Sequence, residues 1–595
     1  MAPTLALPHW LAAVEEAYAA RAAGVVLTRN TSDRLWTGVA GAEASFLRLL
    51  LARHFRAKGL AVGSFSGASG FQLLDPPGQP AIGPSAFRGV PFGAADPALT
   101  LAALGAVLRN PDAAVAVLLD YADHLCPSAA GSATGLSRTQ TDAVQVVHGW
   151  AQDDAVRNGR SFVVVISYED AIHQLLTRES GFRTVPIPLP DEHERYAFLQ
   201  HLMATRAQGW EHAIGTVEDG YSTTELARHA AGLRQSDLEW IFRRAAVRGV
   251  PVSRSDLRVE KCAAIRQLSG DLLEVVEPDA GFEVVAGAAH AKRFFLSVLP
   301  SWRARSASCP QGVLLAGVPG CGKSHLVKAV AKEFDAPLVV MRNVRGPFVG
   351  ESERNLERVL WIIDQLSPCV LWTDEVDQAV GSRGTGSSTD GGTSERMLGR
   401  LFEYFGSMDK RGRVLWIGTT NRPDLLDVAL LDRFQVVLPW IHPTAAERVQ
   451  LLPMLAAQVG RVLGDDVDPS IAVRHPSLRT LTARSMQEIL VAAGREADGR
   501  TGTPGAPIDG DALTAAINDH HSILDPVEHE FLALKALSMT SFRSLLPWQD
   551  SDPASDLPDY LGSVFEPGTV RLDHDKLRGR LRVLEDARMM RRERR

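Results

Sequence analysis

The run Gly312-Val-Leu-Leu-Ala-Gly-Val-Pro-Gly-Cys-Gly-Lys-Ser324 constrains this chain more than any other stretch. Val313 to Ala316 is a short apolar run that predicts a buried strand. Gly317 to Ser324 fits G-x-x-x-x-G-K-[ST], and His325 to Phe334 continues with helical spacing. Strand, glycine-rich turn and helix in that order build an anion cradle. The glycines let successive N–H groups curl around phosphate, and the helix start adds its positive end. Gly317, Val318, Pro319, Gly320, Cys321, Gly322, Lys323, Ser324 and His325 are the candidate nucleotide-binding residues. Lys323 is placed to reach β- and γ-phosphates, and Ser324 to hold Mg²⁺.

At 595 residues the chain exceeds what one core supports, so two or three domains are expected. A formal net charge of −7 gives no sign of general nucleic-acid binding. Five scattered cysteines without a C-x-x-C pair fit a reducing compartment. Glu15 and Glu16 interrupt the first apolar run, and no stretch is long and apolar enough to span a bilayer, so a cytoplasmic address is expected.

Downstream, Cys369-Val-Leu-Trp-Thr-Asp374-Glu375-Val-Asp377 reads as a buried strand presenting carboxylates at its C-terminal end. Asp374 is the candidate Mg²⁺ partner and Glu375 the candidate base that polarises an attacking water. A third strand, Val414 to Thr420, ends in Asn421-Arg-Pro-Asp424. Taken alone, Asn421 would also serve as a turn former. Helices are expected over 445–463, 482–497, 510–519 and 527–546. His520-His521 reads as a capped helix end rather than a metal site, and 547–558 as an acidic, mobile connection. Lys576 to Arg595 is a basic helix with Leu577, Leu581 and Leu584 on one side, expected to lie in solvent.

The first half repeats the alternation of strands and helices without the chemistry. Gly24 to Thr28, Ala114 to Asp120 and Ser161 to Ser167 read as buried strands, followed by helices over 192–203 and 223–248. After the first strand Arg29-Asn-Thr-Ser-Asp33 stands where a phosphate loop would lie, with no lysine or hydroxyl in the required order. Asp120 is followed by Tyr121 where a catalytic Glu would be needed, and is expected to be a cap or ion-pair partner. Residues 60–98, rich in Gly, Pro, Ser and Phe, and 128–141, rich in Ser, Gly and Thr, are expected to be exposed connections.

Residues 278–522 resemble the AAA family of ATPases, and residues 24–250 resemble a degenerate AAA+ module. The layout is similar to a bacterial and plastid AAA group and, more distantly, to tandem ATPases such as valosin-containing protein. The fold class implied is α/β: two modules, each a doubly wound parallel sheet plus a small helical lid. The expected divisions are an N-terminal helix (1–23), a degenerate module (24–270), an ATPase large subdomain (271–440), a lid (441–524) and a C-terminal helical extension (525–595). The segment with Phe282, Val285, Gly287 and Lys292 resembles the family's adenine-side F-x-x-V-x-G. The resemblance makes Asn421 the residue that orients the water and senses the γ-phosphate. It makes Arg433, before Phe434, an arginine finger offered to a neighbouring subunit. Arg484 is either a second sensor of the γ-phosphate or a surface arginine on a helix. Phe348 and Val349, in Val344-Arg-Gly-Pro-Phe-Val-Gly350, resemble a pore loop that grips polypeptide, unless Phe348 is simply buried beneath its loop. Gly381 to Ser394 matches a second pore loop, with Arg383 and Arg396 as candidate channel residues. The resemblance implies ATP hydrolysis with Mg²⁺, a homo-oligomeric ring, most often a hexamer, and remodelling of protein clients. A nucleotide switch or assembly scaffold is the alternative, and a nucleic-acid-linked ATPase ranks last.

Overall fold

Contacts divide the chain into two compact units, Met1–Ile265 and Arg266–Arg595. The computed structural model describes residues 8–36, 45–75, 84–93, 96–128, 135–168, 171–178, 181–207, 213–269, 272–341, 351–379, 393–426, 428–469, 481–521 and 525–593.

In the N-terminal unit the strands are β1 (Gly24–Arg29), β2 (Arg34–Leu35), β3 (Ser45–Phe46), β4 (Ala61–Ser66), β5 (Gly70–Leu73), β6 (Val115–Leu119), β7 (Phe162–Ile166) and β8 (Phe182–Ile187). β2 and β3 pair with each other, and the rest form one sheet in the order β5-β4-β6-β7-β1-β8. All pairs in that sheet are parallel except β4 with β5. The parallel strands are apolar on both faces because helices cover both. Val26, Val117 and Val165 enter one core while Val25, Leu118 and Val164 enter the other, as the two-residue period requires. A small helical layer follows: Glu192–Ala207, Thr223–His229 and Gln235–Arg248, with its own core around Phe198, Leu226, Leu238 and Phe242.

In the C-terminal unit the strands are β9 (Leu273–Val276), β10 (Gly312–Gly317), β11 (Leu338–Met341), β12 (Cys369–Thr373), β13 (Val414–Thr420) and β14 (Val436–Trp440). The order is β14-β10-β13-β12-β11-β9, with β9 alone antiparallel. Read from the other edge, this is the arrangement of the first unit. β10 stands for β1, between the counterparts of β7 and β8. Only the antiparallel edge strand differs in origin, coming from the hairpin after β4 in one unit and from the segment before β10 in the other. The lid contains Ala445–Gln458, Ala483–Thr501 and Gly510–Asp519.

Four expectations are corrected. Residues 60–98 are not an exposed connection: they contain β4, β5 and the turn Pro84–Phe87, with Phe65, Phe71 and Phe87 buried. Their small residues serve packing, since a Cβ on Gly63 would lie 2.4 Å from the Phe71 ring. The polar run up to Thr141 ends inside a helix, Arg138–Gln152, which Ser137 and Gln140 cap reciprocally. Residues 547–558 are anchored by Trp548 and Leu557, and the Trp548 indole donates to the Val570 carbonyl at 2.8 Å. The C-terminal helix, His574–Glu593, is not simply solvated. Leu577, Leu581 and Leu584 join a core with Phe531, Leu534 and Leu537 of the helix Pro526–Ser538, which itself ends earlier than expected. Phe348, Val349, Arg383 and the side chain of Arg396 lie outside the described residues.

Candidate nucleotide site

β10 and the helix Lys323–Glu333 flank the glycine-rich loop. Gly317, Gly320 and Gly322 have φ of 140°, 74° and 93°, values that side chains with a Cβ rarely adopt. A Cβ at Gly317 would lie 1.9 Å from the Trp440 carbonyl oxygen. The loop therefore needs glycine both for its turn and for its closeness to β14. Val318 N–H donates to that same carbonyl at 3.0 Å.

Lys323 is buried, and its ammonium donates to the carbonyls of Gly317 at 3.0 Å and Val318 at 2.7 Å. Burial lowers its pKa to about 8, against the opposing pull of Cys321, Asp374 and Asp377. Burial likewise pushes the Cys321 thiol up to about 12, leaving it a neutral wall of the loop.

The acids arrive from β12. Trp372 indole N–H donates to Thr419 Oγ1 at 3.2 Å, and that hydroxyl donates to Asp374 Oδ1 at 2.5 Å. Glu375 N–H donates to the same oxygen at 3.1 Å. Asp374 is thus aimed by a relay from β13 while remaining exposed. Glu375 is also exposed, with φ of 48°. A non-glycine residue held in the left-handed region is a conformation that surrounding structure must impose. Asp377, one turn on, accepts from Thr420 Oγ1 at 2.7 Å, fixing the loop from the other side.

These groups meet in a cavity of about 460 Å³, a size suited to a small ligand. Its walls include Pro319 to His325 of the loop, Asp374, Glu375, Thr419, Thr420 and Asn421. Val284, Val285, Ala286 and Ala288 close one side, and Leu451, Met454, Ala483 and Arg484 of the lid close another. Thr482 caps the lid helix Ala483–Thr501, and Arg484 N–H donates to the Gly320 carbonyl at 3.1 Å, joining lid to loop. The arrangement fits a nucleotide with Mg²⁺. It offers a cradle a Cβ would fill, a buried lysine, a loop hydroxyl at Ser324 and an oriented carboxylate at Asp374.

Three of the sequence-derived candidates stand outside this wall. Gly317 lies beneath it at the strand end. Val318 is buried with Ile441 and Phe531. Arg433 follows the short helix Val428–Leu431, and its carbonyl side faces Gly312. Arg484 is exposed at the rim.

Sequence reasoning missed the support that the C-terminal extension gives. His442 Nδ1 is 3.1 Å from the Tyr560 hydroxyl, and its Nε2 is 3.1 Å from His529 Nδ1. Burial, with help from His529 and Arg448, lowers the His442 pKa to about 3, and burial lowers that of His529 as well. Arg588 pairs with Glu528 at 2.6 Å and with Asp424 at 3.2 Å, its guanidinium 3.8 Å from the Phe531 ring centre. Asp424 also takes a two-pronged bond from Arg422, both at 3.0 Å. The strip that presents Asn421 is thereby tied to the C-terminal helix. The paired signal, Asp424 against a basic C-terminal helix, was too distant in sequence to be read.

The N-terminal unit presents altered residues at equivalent positions. Strand register makes Tyr168 the counterpart of Asn421 and Tyr121 that of Glu375. Tyr121 has φ of 52°, reproducing the Glu375 conformation. The two tyrosine rings stack at 4.6 Å, and Tyr168 OH donates to Asp120 at 2.8 Å. Asp120 also lies 3.5 Å from Arg48, as expected for an ion-pair partner.

Residues 313–440 match the family described as ATPase family associated with various cellular activities (AAA), and residues 2–188 match the AAA+ chaperone N-terminal Rossmann-like domain. Among curated proteins, the chain is 35% identical over 189 residues to Protein mac-1 of Caenorhabditis elegans, covering 30% of this chain and 22% of that one. It is 28% identical over 352 residues to the Cell division cycle protein 48 homolog of Archaeoglobus fulgidus, covering 52% and 45%. It is 28% identical over 307 residues to Peroxisomal ATPase PEX6 of Neurospora crassa, covering 45% and 22%. The chain thus spans less than half the length of each of these relatives. With the loop, the acids and the repeated sheet in place, the chain is an AAA+ protein, an N-terminal domain of the AAA+ chaperone type joined to a C-terminal AAA domain.

Proposed function

We propose that the C-terminal module hydrolyses ATP with Mg²⁺ and that the work is done on protein partners. The observation that carries the first part is the convergence of Lys323, Ser324, Asp374, Glu375 and Asn421 on one cavity. Ser324 and Asp374 would hold the metal, which neutralises phosphate charge when bound. Lys323 supplies a further positive charge and Glu375 accepts a proton from water. Asn421 orients that water. The test is phosphate release by the purified chain. Glu375→Gln should lower turnover by about 10²–10⁴-fold while nucleotide binding persists, as for loss of a general base. Unchanged turnover would remove Glu375 from this role.

We further propose a homo-oligomeric ring, with a hexamer as the expected size, in which Arg433 enters a neighbour's site and Phe348 and Val349 grip polypeptide. Support comes from the position of Arg433 away from its own chain's cavity and from the AAA+ chaperone match. The five cysteines, none joined in a disulfide, suit the reducing compartment we propose. No described helix is long and apolar enough to cross a membrane. The scaffold reading differs in one outcome: a Glu375→Gln chain held in the ATP state keeps biological activity if it is a scaffold and loses it if it is a motor.

A further inference from the structure

We propose that the nucleotide-type site of the N-terminal module is filled by the chain itself, so that its helical layer is held closed without any ligand. The two modules correspond position by position. In each, the residue after the strand end bonds back to the neighbouring strand, Asn30 N–H to the Ile187 carbonyl at 3.1 Å and Val318 N–H to the Trp440 carbonyl at 3.0 Å. The strands are therefore in the same register, and the loop Asn30-Thr-Ser-Asp33 occupies the place of the phosphate loop.

Where the C-terminal loop presents open glycines, this loop presents Asp33, which is fully buried. Its carboxylate accepts from the backbone N–H groups of Gln235 at 3.0 Å and Ser236 at 2.9 Å, the first turn of the helix Gln235–Arg248. Asn30 Nδ2 adds a third bond at 3.1 Å. Helix N-termini attract anions, and here the anion is internal. In the C-terminal module the equivalent lid helix meets the loop through Arg484 N–H, which donates to the Gly320 carbonyl, and through Ala483 N–H, which faces the Cys321 thiol, and the cavity stays open beside them.

An aromatic ring fills the next part of the space. Trp36 N–H donates to Gln235 Oε1 at 2.6 Å, and its indole stacks on His201 at 4.9 Å and 16°. His201 and Met454 hold the same place, each seven residues beyond the half-buried glutamate of its helix, Glu194 and Glu447. Met454 lines the C-terminal cavity. What remains between this loop and the helical layer is a hollow of about 20 Å³, against about 460 Å³ in its counterpart, while a separate cavity of about 820 Å³ opens beyond Asp120 and Tyr121, toward Arg48 and Gln140. Its lining residues Pro188, Pro190, Glu194 and Gln235 correspond to Ile441, Pro443, Glu447 and Ala483, which all face the larger cavity. A charged group and a ring, the two parts of a nucleotide that such a site grips, are both supplied from residues 33–36. The module is thus a fixed body that does not respond to nucleotide.

Amide hydrogen exchange on the full chain tests this, in a Lys323→Ala background so that only the N-terminal module is in question. Millimolar ATP, inorganic phosphate or adenosine should leave the amides of Gln235 and Ser236 unchanged. Slowing of those amides by any of the three would overturn the proposal. Adding Asp33→Ser should speed their exchange about tenfold or more, the loss expected for charge-assisted bonds, and millimolar inorganic phosphate should then slow it again. Unchanged exchange in Asp33→Ser, or no response of that variant to phosphate, would also overturn it. Should Asp33→Ser unfold the module, Asp33→Asn, which keeps one acceptor, should give the intermediate rate. The ligand arm on the parent chain decides independently.

Discussion

Lys323 is a buried charge at the heart of the C-terminal site. Burial holds its pKa at about 8 against an ordinary 10.5, because the ammonium is satisfied only by two carbonyls and by carboxylates at longer range. The folded state therefore binds fewer protons than the unfolded state between these values. Stability of the nucleotide-free protein should rise with pH across that window, since deprotonation relieves the burial. Phosphate groups reverse the preference by favouring the ammonium. Nucleotide binding just above pH 8 should then take up protons and weaken as pH rises further. Calorimetry in buffers of different ionisation enthalpy measures this directly, and zero uptake there would contradict the assignment of Lys323. Motif chemistry made this residue legible in the sequence, as it did Ser324, Asp374 and Glu375. Tyr168 was not legible, because its meaning depends on register: only the pairing of β1 with β7 aligns it with Asn421 and lets its ring meet Tyr121.

At the scale of elements, the C-terminal helix is the part whose role the sequence least disclosed. Its basic residues suggested a solvated helix, yet the apolar stripe Leu577, Leu581 and Leu584 had a partner in the helix Pro526–Ser538. Local periodicity shows that a stripe exists but not what covers it. The strands were legible for the opposite reason, since a parallel sheet covered on both faces leaves unbroken apolar runs. Residues 60–98 pack where a loop is expected because Gly63 makes room for the Phe71 and Phe87 rings, which composition alone does not distinguish from a loop. Arg588 gives the extension its link to the site. Asp424 is buried enough to raise its pKa, but Arg422 and Arg588 more than offset this and hold it below the usual carboxylate range. Arg588→Ala removes ion pairs to two carboxylates and a ring contact, costing about 2 kcal/mol by the scale of charged hydrogen bonds. Exchange at the amides of Asn421 to Leu425 should quicken, and turnover should fall several-fold with nucleotide affinity held. If exchange quickens only within His574–Glu593, Arg588 anchors its helix and does not position Asn421.

At the scale of the whole molecule, one sheet arrangement is used twice with opposite fates. The C-terminal module keeps an open cavity and strained Glu375, whereas the N-terminal module keeps the strain at Tyr121 but stacks that residue on Tyr168 and closes its loop on Asp33. Hydrolysis then rests on one site per chain, and under the proposed ring that site is completed by the next subunit's Arg433. Shared sites make a prediction that an isolated site does not. Lys323→Ala and Arg433→Ala should each abolish most turnover alone, an arginine finger being worth about 10³-fold or more. In an equimolar mixture assembled together, an Arg433→Ala subunit with intact Lys323 sometimes faces a Lys323→Ala subunit with intact Arg433. For random head-to-tail pairing that interface forms at about a quarter of positions, so the mixture should regain about a quarter of wild-type turnover. Phosphate release measured before and after mixing, with assembly followed by light scattering, reads this out. A mixture that co-assembles but stays as inactive as its components would place Arg433 outside the neighbour's site and leave the C-terminal module to act within one chain.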